Sequence, residues 1–372
     1  MNILVVSTYP PMNCGVGKYA AQQVDGLRKE GHVVDVLSPP EGHGDFPVQL
    51  YGRFRPLRLL KYLWAYGDVY IHFTPQFFYE SEDRASRFMT SFAFLLVMLL
   101  MGRRVSFLIH ESSFKLGQQA RGALRHRIDR WYWRLAHRII FHSVRERDAF
   151  AEFYRLDPRR KAFEIWPQHK YLKRLCKLSR AGARGALGIE PDATLLLCLG
   201  FIQPHKGFDR AIRAFSQVQG DNTRLRVVGS VRLDWDVAHD YARLLHELAQ
   251  ADPRVEVVQG YVPDEEFDTW VVAADYLLLP YNEIWTSAVA ARAAVYDRPM
   301  IAADTGGLAE QLTEGSALFR SDEELVEILR RIAQERGASS STVEAGAVEG
   351  AEGGADEGRA QVAQCSADER AV

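Results

Sequence analysis

One lysine follows an apolar run and precedes a glycine, in Gly200-Phe201-Ile202-Gln203-Pro204-His205-Lys206-Gly207 after Leu195 to Leu199. Its ammonium is a compact point charge suited to a phosphate, and Gly207 lets backbone approach closely. A solvated loop lysine gives the same pattern. A second constellation begins where Leu279-Pro280-Tyr281-Asn282-Glu283 closes another apolar run. Ile284 to Ser287 turns, and the chain reads as helical from Ala288. Glu283 and the backbone N–H groups of Ser287, Ala288 and Val289 then share a strand end, where a helix N-terminus suits a diphosphate. A surface glutamate on an ordinary strand–turn–helix is the plain alternative. Gly15-Val16-Gly17-Lys18-Tyr19-Ala20 fits GxGxxA. The dinucleotide fingerprint, however, needs its first glycine at the strand end. Here Pro10 and Pro11 intervene after Ser7, and Asp35 lies within its strand. Tyr19 stands where a P-loop requires a hydroxyl residue.

These groups need elements to hold them. Ile3 to Ser7, Val33 to Leu37, Val69 to Phe73, Val105 to Ile109 and Ile139 to His142 read as strands in the first half. Leu195 to Leu199, Leu225 to Val228, Val255 to Val258, Tyr276 to Leu279 and Met300 to Ala303 follow in the second. Short continuous apolar runs suit strands buried on both faces. Alternation with helices predicts parallel βαβ units, which bind ligands at the carboxyl ends of their strands. Asp264 is expected as the cap of a helix whose first turn carries Glu265 and Glu266. The expected organisation is an α/β first domain at 1–172 and a second at 173–336, with a linker in the basic stretch from Lys170 to Arg184. The tail at 337–372 has no aromatic residue and no Leu, Ile or Met, so disorder is expected there.

The 372 residues carry a formal net charge of -2, which argues against binding nucleic acid by bulk charge. Cys14, Cys176, Cys198 and Cys365 show no metal-ligand or CxxC spacing, so free thiols in a reducing compartment are expected. No signal peptide is expected before Ile3. The apolar stretch from Phe88 to Met101 fits a buried helix better than a membrane span. The expected location is cytoplasmic, with peripheral contact at the inner face of a membrane an open option. That option rests on Arg55, Arg58 and Lys61, and on Arg127, Arg130, Arg134 and Arg138. The structural reading of both sets is a solvated face; the functional one is contact with anionic lipid head groups or a lipid-diphosphate acceptor.

The segments VSTYPP…CGVGKY, His110-Glu111, IIFHSVRER, GFIQPHKGFD, GYVPDEEF and LLPYNEIWTSAV followed by DTGGLAEQL occur in this order. Together, from Met1 to about Gln334, the chain resembles the retaining glycosyltransferases of family 4. The resemblance implies a GT-B fold: two facing Rossmann-like domains, the acceptor in the first and a nucleotide-diphosphate sugar in the second. It implies metal-independent hexosyl transfer to a polysaccharide, glycolipid or other glycan, with no cofactor. By the same resemblance, Glu283 is the first acid of the paired-glutamate motif and Lys206 steadies the leaving diphosphate. His110 contacts the donor sugar, and Gly15 and Gly17 approach the phosphates. Gly200, Gln203, Gly207, Ser287, Ala288 and Val289 complete the donor site.

The chain departs from the family at three points. Arg292 stands where the second motif acid falls, and an arginine can only donate. Phe201 and Gln203 occupy the positions where an arginine commonly accompanies the lysine, leaving Arg292 or Arg232 to compensate. The helix that braces the first domain from the C-terminus is not expected after Arg336. Two alternatives therefore stand beside the transferase: a non-catalytic or degenerate nucleotide-sugar-binding relative, and a nucleotide-sugar epimerase.

Overall fold

The computed structural model describes residues 1–12, 14–79, 83–110, 124–157, 159, 162–231 and 236–349, with side-chain burial described to residue 335. The first half forms a seven-stranded parallel sheet in the order β3-β2-β1-β4-β5-β6-β7. Its strands are β1 (Asn2–Val6), β2 (Val33–Ser38), β3 (Phe46–Pro47), β4 (Asp68–Phe73), β5 (Val105–Ile109), β6 (Arg138–Phe141) and β7 (Ala162–Ile165). The second half forms a six-stranded parallel sheet in the order β10-β9-β8-β11-β12-β13. It comprises β8 (Thr194–Leu199), β9 (Thr223–Gly229), β10 (Val255–Gln259), β11 (Tyr276–Leu279), β12 (Met300–Ala303) and β13 (Ala317–Phe319). In both sheets the order reverses beside the first strand. That places a crevice at the carboxyl ends of the central strands.

Helices cover both faces. Among the described residues, those of the first domain are α1 (Gly15–Lys29), α2 (Leu60–Leu63), α3 (Pro75–Phe78), α4 (Arg84–Met101), α5 (Leu124–Leu135) and α6 (Val144–Tyr154). In the second they are α7 (Arg180–Leu187), α8 (Phe208–Phe215), α9 (Asp236–Gln250), α10 (Asp264–Ala273), α11 (Ala288–Val295) and α12 (Asp322–Glu349). β5 and β8 are buried at every residue, as apolar runs between two helical layers must be. Ala20, Val24 and Leu27 of α1 pack on one face of the first sheet with Val5 and Val36. Phe94 and Val97 of α4 and Trp133 of α5 pack on the other with Ile71 and Phe107.

Several expectations change. The basic stretch read as a linker already contains α7. Arg184 there is 1% exposed and donates to the carbonyls of Ala273, Glu190, Pro191 and Ala193 and to the Asp275 carboxylate. It is a structural group of the second domain, satisfied at each end of its fork. Tyr171 belongs to the first core and Cys176 to the second, so the chain crosses between them. α12 continues to Glu349, past the Gly337 where disorder is expected; residues 350–372, with Cys365, lie outside the described residues. Leu325, Val326, Leu329 and Ile332 seat its first turns in the second core.

The arginines of the first domain also separate. Arg138 is committed inside, donating to Ser106, Glu164 and the Tyr70 hydroxyl. Arg130 donates to the Arg155 carbonyl. Arg127 and Arg134 remain exposed. α4 is buried along one face only, at Ala93, Phe94, Val97, Met98 and Met101. The opposite face is apolar and leaves Phe92, Leu99 and Leu100 exposed, so the helix expected to be buried is buried along one side.

Candidate active site between the two domains

The carboxyl ends of β8 and β9 meet the first turn of α1 across a cavity of about 240 Å³. Gly15, Lys18, Tyr19 and Gln22 line it from the first domain. Gly200, Phe201 and Lys206, with Ser230, Asp264, Ala288, Val289 and Arg292, line it from the second.

Lys206 ends a short helical turn, Pro204–Lys206, stopped by Gly207 at φ 62°. That left-handed conformation, and the collision a Cβ there would make with the Pro280 carbonyl, explain the glycine. Its close approach is thus to β11's exit and not to a ligand. The Lys206 ammonium lies over the face of the buried Tyr281 ring, 4.0 Å from its centroid. Desolvation pulls its pKa down to about 8. It has no carboxylate partner among the described residues. An ammonium held this way stays charged at neutral pH and lacks an anion.

The helix N-terminus supplies the complementary donors. Ser287 caps α11 by accepting from Ala290 N–H, while its own N–H is taken by the Gln311 amide at 2.7 Å. Ser287 is therefore a cap, and the N–H groups of Ala288 and Val289 are the ones without partners among the described residues. Both line the cavity beside Lys206. Glu283 is exposed on the turn before α11 and outside the cavity lining. Asn282 beside it stitches the two loops together, its N–H donating to His205 O and its amide to Pro204 O. His205 is held below the usual imidazole range by burial and by Lys206, with Glu283 opposing.

Arg292 lies in the cavity wall, 8% exposed, but its guanidinium is committed. It meets the fully buried Asp268 at 2.9 Å and donates to Lys173 O at 2.6 Å. It neither replaces an acid nor offers a free fork to a phosphate. Arg232 and Glu111 lie outside the described residues. Gln203 and Gly17 are outside the cavity lining; Gly17 is packed against Thr8.

His110 sits one layer behind the wall. Its Nε2 is 2.9 Å from His72 Nδ1, and its Nδ1 is 3.4 Å from His142 Nε2. The outer nitrogens meet Gln23 at 2.6 Å and Trp166 O at 2.9 Å. Burial pushes His72 down to about 3, His142 to about 4, and His110 well below its ordinary value. Three neutral rings carry three protons, but the chain has four hydrogen bonds. With His142 donating to the Trp166 carbonyl, every ring must donate in that direction. The recorded contact sets Gln23 Oε1 against His72 Nε2, so a fourth proton requires the Gln23 amide turned by half a rotation, its nitrogen then donating to His72. Both nitrogens of His110 are thereby used, and Tyr19 covers the array, its ring 5.3 Å from that of His110. The array buttresses the cavity wall and gives no imidazole nitrogen to a donor sugar.

Lys18 and Tyr19 are absent from the expected site residues, as are Gln22, Ser230 and Asp264. The signal was there, since a helix beginning at Gly15 turns Lys18, three residues on, to the same side. Lys18 reaches across the cavity mouth to Asp264 at 2.6 Å. Below it, Glu310 accepts from the N–H groups of Val144 and Arg145, capping α6 from the other domain, and Arg145 meets Asp304 at 2.9 Å.

Residues 14–163 match the family model described as glycosyl transferase 4-like domain, and residues 193–335 the one described as glycosyl transferases group 1. The chain belongs to the group 1 glycosyl transferases. Within that family it is 32% identical over 186 residues to a D-inositol 3-phosphate glycosyltransferase of Streptomyces bingchenggensis, covering 48% of this chain and 40% of that one. The chain thus spans less than half the length of such curated relatives. The sucrose-phosphate synthase structure from Thermosynechococcus elongatus superposes with a TM-score of 0.65 at 17% identity, over 91% of this chain and 90% of that one. HepE of Anabaena, solved with UDP and glucose, gives 0.59 at 17% identity over 89% of each. These likenesses show the GT-B architecture of this group 1 glycosyl transferase.

Proposed function

We propose that this chain transfers a glycosyl group from a nucleotide-diphosphate sugar to a glycan or lipid-linked acceptor, with retention at the anomeric carbon. The observation that carries this reading is the pairing of an unneutralised, desolvated ammonium at Lys206 with the open N–H groups of Ala288 and Val289. All three line one cavity at the carboxyl ends of a parallel sheet. The cavity is short of negative charge, and a diphosphate supplies it. Negative charge grows on the leaving phosphate as its bond to the anomeric carbon breaks, and preorganised donors stabilise that state most. Lys18 supplies the second cation in place of the uncharged Phe201 and Gln203.

Retention is what the family resemblance implies, and the described lining residues agree with it. Asp264 is the one carboxylate among the described lining residues, and it is paired to Lys18. An inverting transfer needs a free base opposite the leaving group. In a same-face transfer the acceptor hydroxyl gives its proton to the departing phosphate oxygen as the new C–O bond forms. HepE holds UDP and glucose, so a uridine diphosphate sugar is the first donor to test.

A second reading is a nucleotide-binding relative without transfer. It is favoured by Arg292, locked to Asp268 where the family places an acid. Turnover of a nucleotide-sugar panel by wild type, Lys206→Ala and Glu283→Gln separates the two. Loss of turnover in Lys206→Ala, and in Glu283→Gln without loss of nucleotide binding, supports the transferase. Binding without turnover by wild type supports the second reading.

A further inference from the structure

Arg84–Arg104 is long and apolar enough to cross a membrane, yet half of its apolar window is buried inside the first domain. The other half needs a partner. Phe92, Leu99 and Leu100 are exposed, the last two by 60% and 61%, and Arg103 continues the same stripe at helical spacing. α5 packs beside α4 and repeats the arrangement: Leu124, Arg127, Trp131 and Arg134 recur every three or four residues and are all exposed. The Arg134 guanidinium lies 5.6 Å from the Trp131 ring centroid. The two helices end together, since Gly102 rests against the Leu135 backbone. Arg104 donates to Tyr66 O at 3.2 Å, bringing in the end of α2 and its exposed Trp64.

Charge selects the occupant. The chain as a whole has a net charge of -2, yet no Asp or Glu occurs from Tyr51 to Gly67 or from Arg84 to His110. The only acid of α5 is Asp129, which is buried and paired to Arg125. These three helices therefore expose apolar side chains and cations but no carboxylate. A second copy docked about a two-fold axis would set arginine against arginine. An anionic bilayer surface takes all three features at once: leucine and phenylalanine below the head groups, tryptophan at the interface, and arginine on lipid phosphates. With its other face in the protein core, α4 lies along such a surface and does not cross it.

We propose that this face of the first domain, formed by α2, α4 and α5, seats on an anionic lipid bilayer. The proposal is independent of the chemistry in the cleft.

The test is co-sedimentation of the full chain with phosphatidylcholine vesicles, with and without phosphatidylglycerol. Two double variants are compared, Leu99→Ser/Leu100→Ser and Arg127→Glu/Arg134→Glu. These side chains are exposed, so unchanged melting temperatures and unchanged nucleotide binding check the fold. Binding to the anionic vesicles alone, weakened about tenfold or more in each variant, is expected. Trp64 and Trp131 fluorescence should shift to the blue in parallel. Failure of wild type to bind anionic vesicles, or wild-type binding by both variants, overturns the proposal. So does a lipid-free dimer in sedimentation velocity that Leu99→Ser/Leu100→Ser disperses.

Discussion

The ammonium of Lys18, in the first turn of α1, meets the carboxylate of Asp264, the first residue of α10, at 2.6 Å. One residue belongs to each domain, so the pair spans the mouth of the cavity. Both side chains are partly exposed, 35% and 44%, and such pairs contribute only about 0–1 kcal/mol to stability. The pair is weak enough for a diphosphate to take Lys18 from Asp264. Asp264→Asn should therefore leave the melting temperature within a few degrees of wild type and tighten nucleotide-diphosphate binding. Lys18→Ala should weaken it about tenfold, a loss of about 1.4 kcal/mol. Calorimetric titration of both variants at low and high salt checks this.

Lys206 gives the site a pH dependence with opposite signs for binding and stability. Its pKa is about 8 in the empty protein, and an anion raises it again. Above pH 8, binding requires proton uptake, so affinity should fall by up to about tenfold per pH unit. The empty protein behaves in reverse. The folded pKa lies below the unfolded value near 10.4, the unfolded chain binds more protons in between, and stability from this group rises with pH. Lys206→Met should remove the slope in both measurements.

Arg292 shows how a family position can change role. Asp268 is fully buried, ion-paired with Arg292 through one oxygen and accepting from the Leu175 N–H and the Tyr296 hydroxyl through the other. Removing one partner of a buried pair typically costs about 3–5 kcal/mol, because the remaining charge has no compensation. Arg292→Ala should thus lower the melting temperature far more than Lys206→Ala. Arg292→Glu should not restore a family-like site, since it sets a second carboxylate against Asp268. Chemical denaturation of the three variants orders them.

The histidine array should make the first domain acid-sensitive. His72, His110 and His142 have folded pKa values below the ordinary 6.5, so the unfolded chain takes up protons first as pH falls. Stability contributed by their neutral forms is complete above about pH 6.5 and is withdrawn toward pH 4, at roughly 1.4 kcal/mol per histidine per pH unit. His72→Gln and His142→Gln should shift the acid unfolding midpoint to lower pH, read by circular dichroism.

The strands were legible because two-sided burial writes itself as continuous apolar runs, as at Leu195 to Leu199. Lys206 and the start of α11 were legible because each lies on the short loop that leaves such a run. His110 was visible but its role was not, since its partners lie 38 and 32 residues away. β4, β5 and β6 each carry a histidine at or just beyond the carboxyl end, and only the sheet order makes these neighbours. Arg184 read as part of a basic linker and Arg292 as a donor-site cation, because nothing local reveals the carboxylates that bury them. The outer face of α4 was missed for a different reason: apolar periodicity on both sides of a helix looks like complete burial.

The most direct measurement is calorimetric titration of UDP and a panel of other nucleotide diphosphates and nucleotide-diphosphate sugars into wild type and Lys206→Ala. One nucleotide-diphosphate series should bind wild type, and Lys206→Ala should bind it at least about tenfold more weakly, a loss of about 1.4 kcal/mol. Equal affinity in the two proteins, or no binding by well-folded wild type across the panel, would contradict the donor site built on Lys206.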